Sequence, residues 1–343
     1  MSTGQLALNS TGRIAIKPQE ASSVSSSPSW ADTISGHLWT MASPLRAAIL
    51  PPAAPASRHF EVTVEDSVIG PVRISGLLAD STKSDTLVLI VHGLAGSANS
   101  WYCAEAARAA WQAGYSSLRL SMRGADGSGE DIYHGGLTED LKAALASPEL
   151  AHYRRIFLLG YSFGGHIVLR AAIEQVDPRI RALAAICPPL DLKATMESCD
   201  APSRRIYRHC IHSGMNTNYA RTAARRKLSI PVEALRRARK CGEWNAMAIV
   251  PRFGFNSLED YYHRASVSTD IHRLQTPSFI IASLNDPIVS PETLLPTLND
   301  APPALKVCWV RQGGHVSFPA KLDLGQGGRL GLEAQVMRWL SKH

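Results

Sequence analysis

Arg155 to Arg170 reads RIFLLGYSFGGHIVLR. The run Ile156 to Leu159 is short and continuously apolar, the pattern of a strand buried on both faces. It leads into Gly160-Tyr161-Ser162-Phe163-Gly164, a G-x-S-x-G turn that joins a strand to a helix and lifts its serine hydroxyl over the end of a sheet. Glycines flank the serine because so sharp a turn has no room for a Cβ two residues either side. Beyond Gly165, the spacing of Ile167, Val168, Ala171 and Ala172 gives a helix with an apolar stripe. Its N-terminus lies beside Ser162, where N–H groups and the helix dipole favour developing negative charge. G-x-S-x-G also recurs by chance, and a serine N-cap at a glycine-rich junction is the bland alternative. Distant residues decide between the two.

Working outward, further apolar strands are expected at Leu87–Val91, Ser117–Leu120, Leu183–Cys187, Ser278–Ser283 and Leu305–Val310. Helical patterns fall between or after them at Ala104–Trp111, Thr138–Leu145, His166–Gln175 and Leu332–Leu340. Strands alternating with helices imply a parallel sheet covered on both faces. Ahead of them, His59–Asp66 and Pro71–Leu77 alternate polar and apolar around a short glycine-containing turn, as a hairpin does. A hairpin feeding a doubly covered, mostly parallel sheet is the order of the α/β-hydrolase fold. Residues 191–270 interrupt the alternation with helical, basic sequence and read as a cap inserted after the sixth strand. Core segments are then expected at 36–190 and 271–343. Residues 1–35, rich in Ser, Thr, Gly and Ala, read as a flexible tail.

A serine hydroxyl attacks only when a base takes its proton and a carboxylate orients that base. On this fold the chain order is Ser, acid, His. His315, in Gln312-Gly313-Gly314-His315, follows the last strand and is the expected base. Asp286, in Asn285-Asp286-Pro287, follows the strand before it and is the expected acid, with Asp191 as runner-up. An oxyanion hole needs two backbone donors. Phe163 N–H follows the nucleophile, and Leu94 N–H belongs to the His92-Gly93-Leu94-Ala95-Gly96 turn after the third strand. His92 is expected to be structural within that turn.

The chain has 343 residues, 45% of them hydrophobic and 19% charged, enough for one α/β domain with an insertion. Its formal charge of +7 is concentrated: residues 201–250 hold eleven Lys or Arg against two acids. A solvated helical face, an anionic substrate or an anionic membrane surface could each account for this. Tyr207 is the one aromatic set directly among the basic residues, too few for base stacking, so nucleic acid is not expected. Six cysteines without C-x-x-C spacing suggest free thiols. Cys199, Cys210, His212 and Cys241 do not have the spacing of a familiar zinc site, and neither metal nor cofactor is expected. No signal peptide or membrane span is visible, so a soluble, cytoplasmic protein is expected.

Several stretches together resemble the YheT-like branch of the α/β-hydrolases. They are Gly36-His37-Leu38-Trp39-Thr40, the His92–Gly96 turn, Met122-Arg123-Gly124, Tyr133–Leu141, Gly160–Gly165 and Phe253-Gly254-Phe255 with Asp260-Tyr261-Tyr262. Asn285-Asp286-Pro287 and Gly313-Gly314-His315 complete the set. Trp39 stands where the family has glutamine. The resemblance runs from about residue 36 to the C-terminus and implies a serine carboxylesterase acting on short to medium acyl chains. It assigns nucleophile, acid and base to Ser162, Asp286 and His315. Acyl transfer to an alcohol and phospholipid hydrolysis would use the same residues. A non-catalytic binding module is the alternative of another class, since fold does not choose the chemistry.

Overall fold

A computed structural model describes residues 30–81, 84–299 and 301–343. Most of the expected N-terminal tail, residues 1–29, lies outside the described residues. The chain forms helix α1 (Trp30–Ile49) and strands β1 (Arg58–Asp66), β2 (Gly70–Ala79) and β3 (Thr86–Val91). Helix α2 (Trp101–Gln112), β4 (Ser116–Ser121), α3 (Glu139–Ala146), β5 (Arg155–Tyr161), α4 (Phe163–Ile173) and β6 (Ile180–Ile186) follow. Five helices then interrupt the sheet: α5 (Leu192–Cys199), α6 (Arg205–Arg225), α7 (Val232–Leu235), α8 (Cys241–Phe253) and α9 (Leu258–Ala265). The sheet resumes with β7 (Ser278–Ser283), α10 (Pro291–Leu298), β8 (Leu305–Val310) and α11 (Leu332–Leu340).

The eight strands lie in the order β1-β2-β4-β3-β5-β6-β7-β8. Pairings β1–β2 and β2–β4 are antiparallel and the others parallel. Register follows from which side chains must be buried. On β3, Leu87, Leu89 and Val91 join one core with Ile167, Val168 and Leu141, while Val88 and Ile90 join a second with Ala107 of α2 and Val336 of α11. A slip of one residue would exchange the two sets, and each fully buried Leu or Ile contributes about 1.5–3 kcal/mol. The parallel register pairs Val91 with Gly160, Tyr161 with Ile186 and Ser283 with Val310. The turns after β3, β5, β7 and β8 therefore open on one edge of the sheet.

The helical cap is bolted to the sheet by buried charge. Arg123 donates through Nε to Asp140 at 2.8 Å and through Nη1 to Asp66 and Asp131, each at 3.1 Å. Arg252 of α8 grips both oxygens of Asp131 at 2.8 and 2.6 Å and reaches Asp66 at 3.0 Å. Burial raises the Asp66 carboxyl, but hydrogen bonds from Val68 and Ile69 N–H and from Arg252 outweigh it and hold the pKa at about 2. Each of the three carboxylates is hydrogen-bonded by at least one of the two arginines, and this pairing is what makes the burial of the group tolerable.

One departure from expectation is at the N-terminus. Helix α1 begins at Trp30, inside the segment read as a tail. Its buried positions are Gly36 and Thr40, with Ser43 and Ala47 half-buried on the same side. Small and polar residues face the protein, so no inward apolar stripe announced the helix.

Candidate functional site

Ser162 stands at the sheet edge with φ 52° and ψ −121°, a strained conformation for a residue with a side chain. Close packing holds it there. A Cβ on Gly160 would overlap the Gly164 carbonyl, and one on Gly164 would overlap the carbonyls of Val91 and His92. The two glycines of the motif are thus dictated by backbone contact, as the sequence implies.

His315 Nε2 lies 2.7 Å from Ser162 Oγ, and His315 Nδ1 lies 2.8 Å from Asp286 Oδ2. A carboxylate only accepts, so Nδ1 carries the hydrogen and Nε2 presents its lone pair to the serine hydroxyl. The other oxygen of Asp286 accepts from Ile288 N–H at 2.8 Å and Val289 N–H at 2.9 Å, which fixes the carboxylate plane. Asp286 and His315 are both buried, with relative exposures of 4% and 8%. Their loops are laced together: Ser283 Oγ donates to the Gly313 carbonyl at 3.0 Å and Asn285 Nδ2 to the Arg311 carbonyl at 2.7 Å. Asp191, the runner-up acid, instead caps α5, accepting from Ala194 N–H at 2.9 Å.

The turn carrying Leu94 lies against the serine, since a Cβ on Gly93 would come within 3.3 Å of Ser162 Cβ. Gly93 N–H donates to Tyr102 Oη at 3.0 Å and Ala95 N–H to Tyr133 Oη at 3.1 Å. Leu94 N–H between them, like Phe163 N–H at the start of α4, has no partner among the described residues. Two tyrosines thus occupy the flanking donors and leave a pair free beside the serine. Sequence reading missed both. Tyr102 is the second residue of the helix after the loop, the only local hint of its role.

His92 is structural. Its Nε2 accepts from Met122 N–H at 3.1 Å, so its Nδ1–H donates to the Gly93 carbonyl at 2.7 Å. Burial lowers its pKa to about 4, and burial with nearby Arg123, Arg252 and Arg264 lowers that of His134 to about 3. Unfolded, both take up protons near pH 6.5; folded, neither does until far lower. The unfolded state therefore binds more protons across this window, and stability falls as pH falls below 6.5. Urea midpoints should drop between pH 6.5 and 5, and a flat profile there would contradict the assignment.

A second feature absent from the sequence reading is the grip of α1. Thr40 Oγ1 accepts from His315 N–H at 2.9 Å while donating to the Gly36 carbonyl at 2.8 Å. Gly36 abuts Asn285 and Gly314 abuts Gly36, so α1 closes over the acid and histidine loops at once. On its other flank His37 Nδ1 lies 2.6 Å from Tyr207 Oη of α6.

Beside the free donors opens an apolar pocket walled by Leu94 and Phe163 and lined from the cap by Met196, Met215, Trp244 and Tyr261. Among the described residues, potential metal ligands converge in two places, Cys187–Asp286–His315 and Asp200–His212–Cys241. In the first, Asp286 and His315 are committed to each other and to Ser162. In the second, Asp200 accepts the Cys241 N–H at the start of α8. Cys210, once grouped with His212 and Cys241 by sequence, is exposed and apart from that group. All six cysteines are free.

Sheet order, elbow and cap define the class. The family model for the alpha/beta hydrolase fold matches residues 86–321, and the chain belongs to that family. Among curated proteins it is similar to the Escherichia coli (strain K12) protein named "Putative esterase YheT", 26% identical over 75% of this chain and 76% of that one. It is also similar to medium-chain fatty acid ethyl ester synthase/esterase 2 of Saccharomyces cerevisiae, 23% identical over 68% of this chain. The match spans 58% of that relative's length. A Pyrococcus furiosus esterase has the same fold, with a TM-score of 0.50 at 19% identity, covering 76% of this chain and 84% of that one. The branch named by the sequence motifs is therefore the branch found. No helix among the described residues is long and apolar enough to cross a membrane.

Proposed function

We propose that this protein is a serine carboxylesterase that hydrolyses short- to medium-chain acyl esters through an acyl-enzyme on Ser162. The observation that carries the reading is the continuous hydrogen-bonded chain Asp286–His315–Ser162, at 2.8 and 2.7 Å. Ser162 Oγ attacks the acyl carbonyl as its proton passes to His315 Nε2, and the Asp286 carboxylate stabilises the imidazolium. The carbonyl oxygen, now negative, receives hydrogen bonds from Leu94 and Phe163 N–H, a contribution typically worth about 3–4 kcal/mol per donor. His315 returns the proton to the departing alcohol. Water, deprotonated by the same histidine, then releases the acid. No step calls for a metal or an organic cofactor.

The cap's Met and aromatic side chains make the pocket an acyl site. With p-nitrophenyl esters from acetate to octanoate, kcat/KM should rise with acyl length and then fall when the pocket is full. Absence of turnover on the whole series, in folded protein, would remove the esterase reading. The yeast relative's name pairs synthesis with hydrolysis of ethyl esters. Added ethanol tests this second reading: an ethyl ester product would show that alcohol replaces water in the second half-reaction. Six free cysteines support a reducing, cytoplasmic setting.

Thr40 acts through His315. Thr40→Val removes the acceptor for a buried N–H, and about 1.4 kcal/mol of misplacement corresponds to about tenfold in kcat. KM should stay unchanged and Thr40→Ser should restore the rate. An equal rate in Thr40→Val would show that the loop holds itself.

A further inference from the structure

Helix α1 is built inside out. Gly36, Thr40, Ser43 and Ala47 face the protein, while Ile34, Leu38, Met41, Leu45 and Ile49 face solvent with exposures between 49% and 71%. At 3.6 residues per turn the two rows lie about 180° apart, and the outer one is about 22 Å long. Leu50 follows at its end with 69% exposure, and on α6 Ile206, next in sequence to Tyr207, is 70% exposed. Elsewhere among the described residues only Val68 and Trp111 are large, apolar and comparably exposed. A contiguous apolar ridge of this kind marks a contact surface.

Charge says what kind. The stacking of His37 on Tyr207, ring centroids 5.5 Å apart, sets the ridge beside the start of α6. Around Ile206 there, an open groove collects Arg205, Arg208, His209, Arg236 and Arg239. Among the described residues, only Arg236 of these is paired with a carboxylate, that of Glu233. Along α1 itself the sole acid is Asp32 in the first turn, against Arg46 in the last. An apolar ridge flanked by basic residues fits the boundary between acyl chains and anionic headgroups. A second copy of this chain would bring the same positive rim against itself.

We propose that the outer face of α1, with Ile206 and the basic rim of α6 and the segment after it, is a docking surface for an anionic lipid bilayer. The ridge would sink into the acyl boundary while the arginines hold phosphate headgroups. Because the inner face of α1 holds the His315 loop through Thr40, docking would set the rim of the site toward the lipid. The proposal goes beyond ester hydrolysis and does not rest on it, since docking is read without turnover.

The test is co-sedimentation of the full chain with phosphatidylcholine vesicles, with and without a third of phosphatidylglycerol. Wild type is expected to bind the anionic vesicles at low salt and to release as salt rises. Leu38→Glu/Leu45→Glu should weaken binding roughly a hundredfold, and Arg205→Glu/Arg239→Glu should remove the dependence on phosphatidylglycerol. Both variants should keep wild-type turnover on soluble p-nitrophenyl esters, which shows that fold and site are intact. Failure of wild type to sediment, or binding unmoved by either double variant, would overturn the proposal. So would a solution dimer that ignores vesicles and is split by Leu45→Glu, which would assign the ridge to a second copy.

Discussion

Ser162→Ala will hydrolyse p-nitrophenyl esters about five to six orders of magnitude more slowly than the wild-type protein. The substitution removes one oxygen and leaves the elbow standing, because the turn is held by contacts of Gly160 and Gly164 with the backbone rather than by the hydroxyl. Alanine also inherits the strained backbone at φ 52° without a new clash, so stability should barely move. The residual rate over water would come from the Leu94 and Phe163 donors and from binding in the pocket. Substrate affinity should be nearly unchanged. A variant retaining a tenth of the activity would mean that another group attacks the ester.

Asp286→Asn should cost about 10⁴ in kcat while leaving the fold intact. The asparagine oxygen can still accept from Ile288 and Val289 N–H, which keeps the loop in place. Its amide nitrogen then faces His315 Nδ1 as a donor, where a carboxylate had accepted. The imidazole must switch tautomer, and its Nε2 points a hydrogen at Ser162 Oγ instead of a lone pair. Asp191→Ala is the control: that side chain caps α5, and its loss should cost about 1 kcal/mol of stability and no chemistry. Reversal of the two effects would move the acid to the loop after β6.

Much of this arrangement was legible in the chain. Strands β3, β5, β7 and β8 lie within a residue or two of the apolar runs that announced them, because a strand buried on both faces has nowhere to put a polar residue. Strand β6 begins three residues earlier than its run suggested, at Ile180, where polar Arg181 masked the edge. Ser162, Asp286 and His315 were readable because each follows a strand whose end the register brings to one edge, and Leu94 and Phe163 follow from the same reasoning. Hydrogen bonds across the fold were not. Thr40 meets His315 over 275 residues, and Tyr133 meets Ala95 over 38, with no local pattern to betray either contact. Helix α1 escaped for a different reason. Its apolar row points outward, Pro44 lies within the helix, and its inward row of Gly36, Thr40, Ser43 and Ala47 carries no large apolar side chain.

The central claim is that Ser162 is made nucleophilic by His315 and Asp286. A fluorophosphonate followed by peptide mass spectrometry tests it most directly, since the reagent bonds only to a hydroxyl activated in this way. One adduct per chain is expected, on the peptide carrying Ser162, with labelling slowed by orders of magnitude in His315→Ala. Folded protein that remains unlabelled, or an adduct on any other residue, would contradict the account.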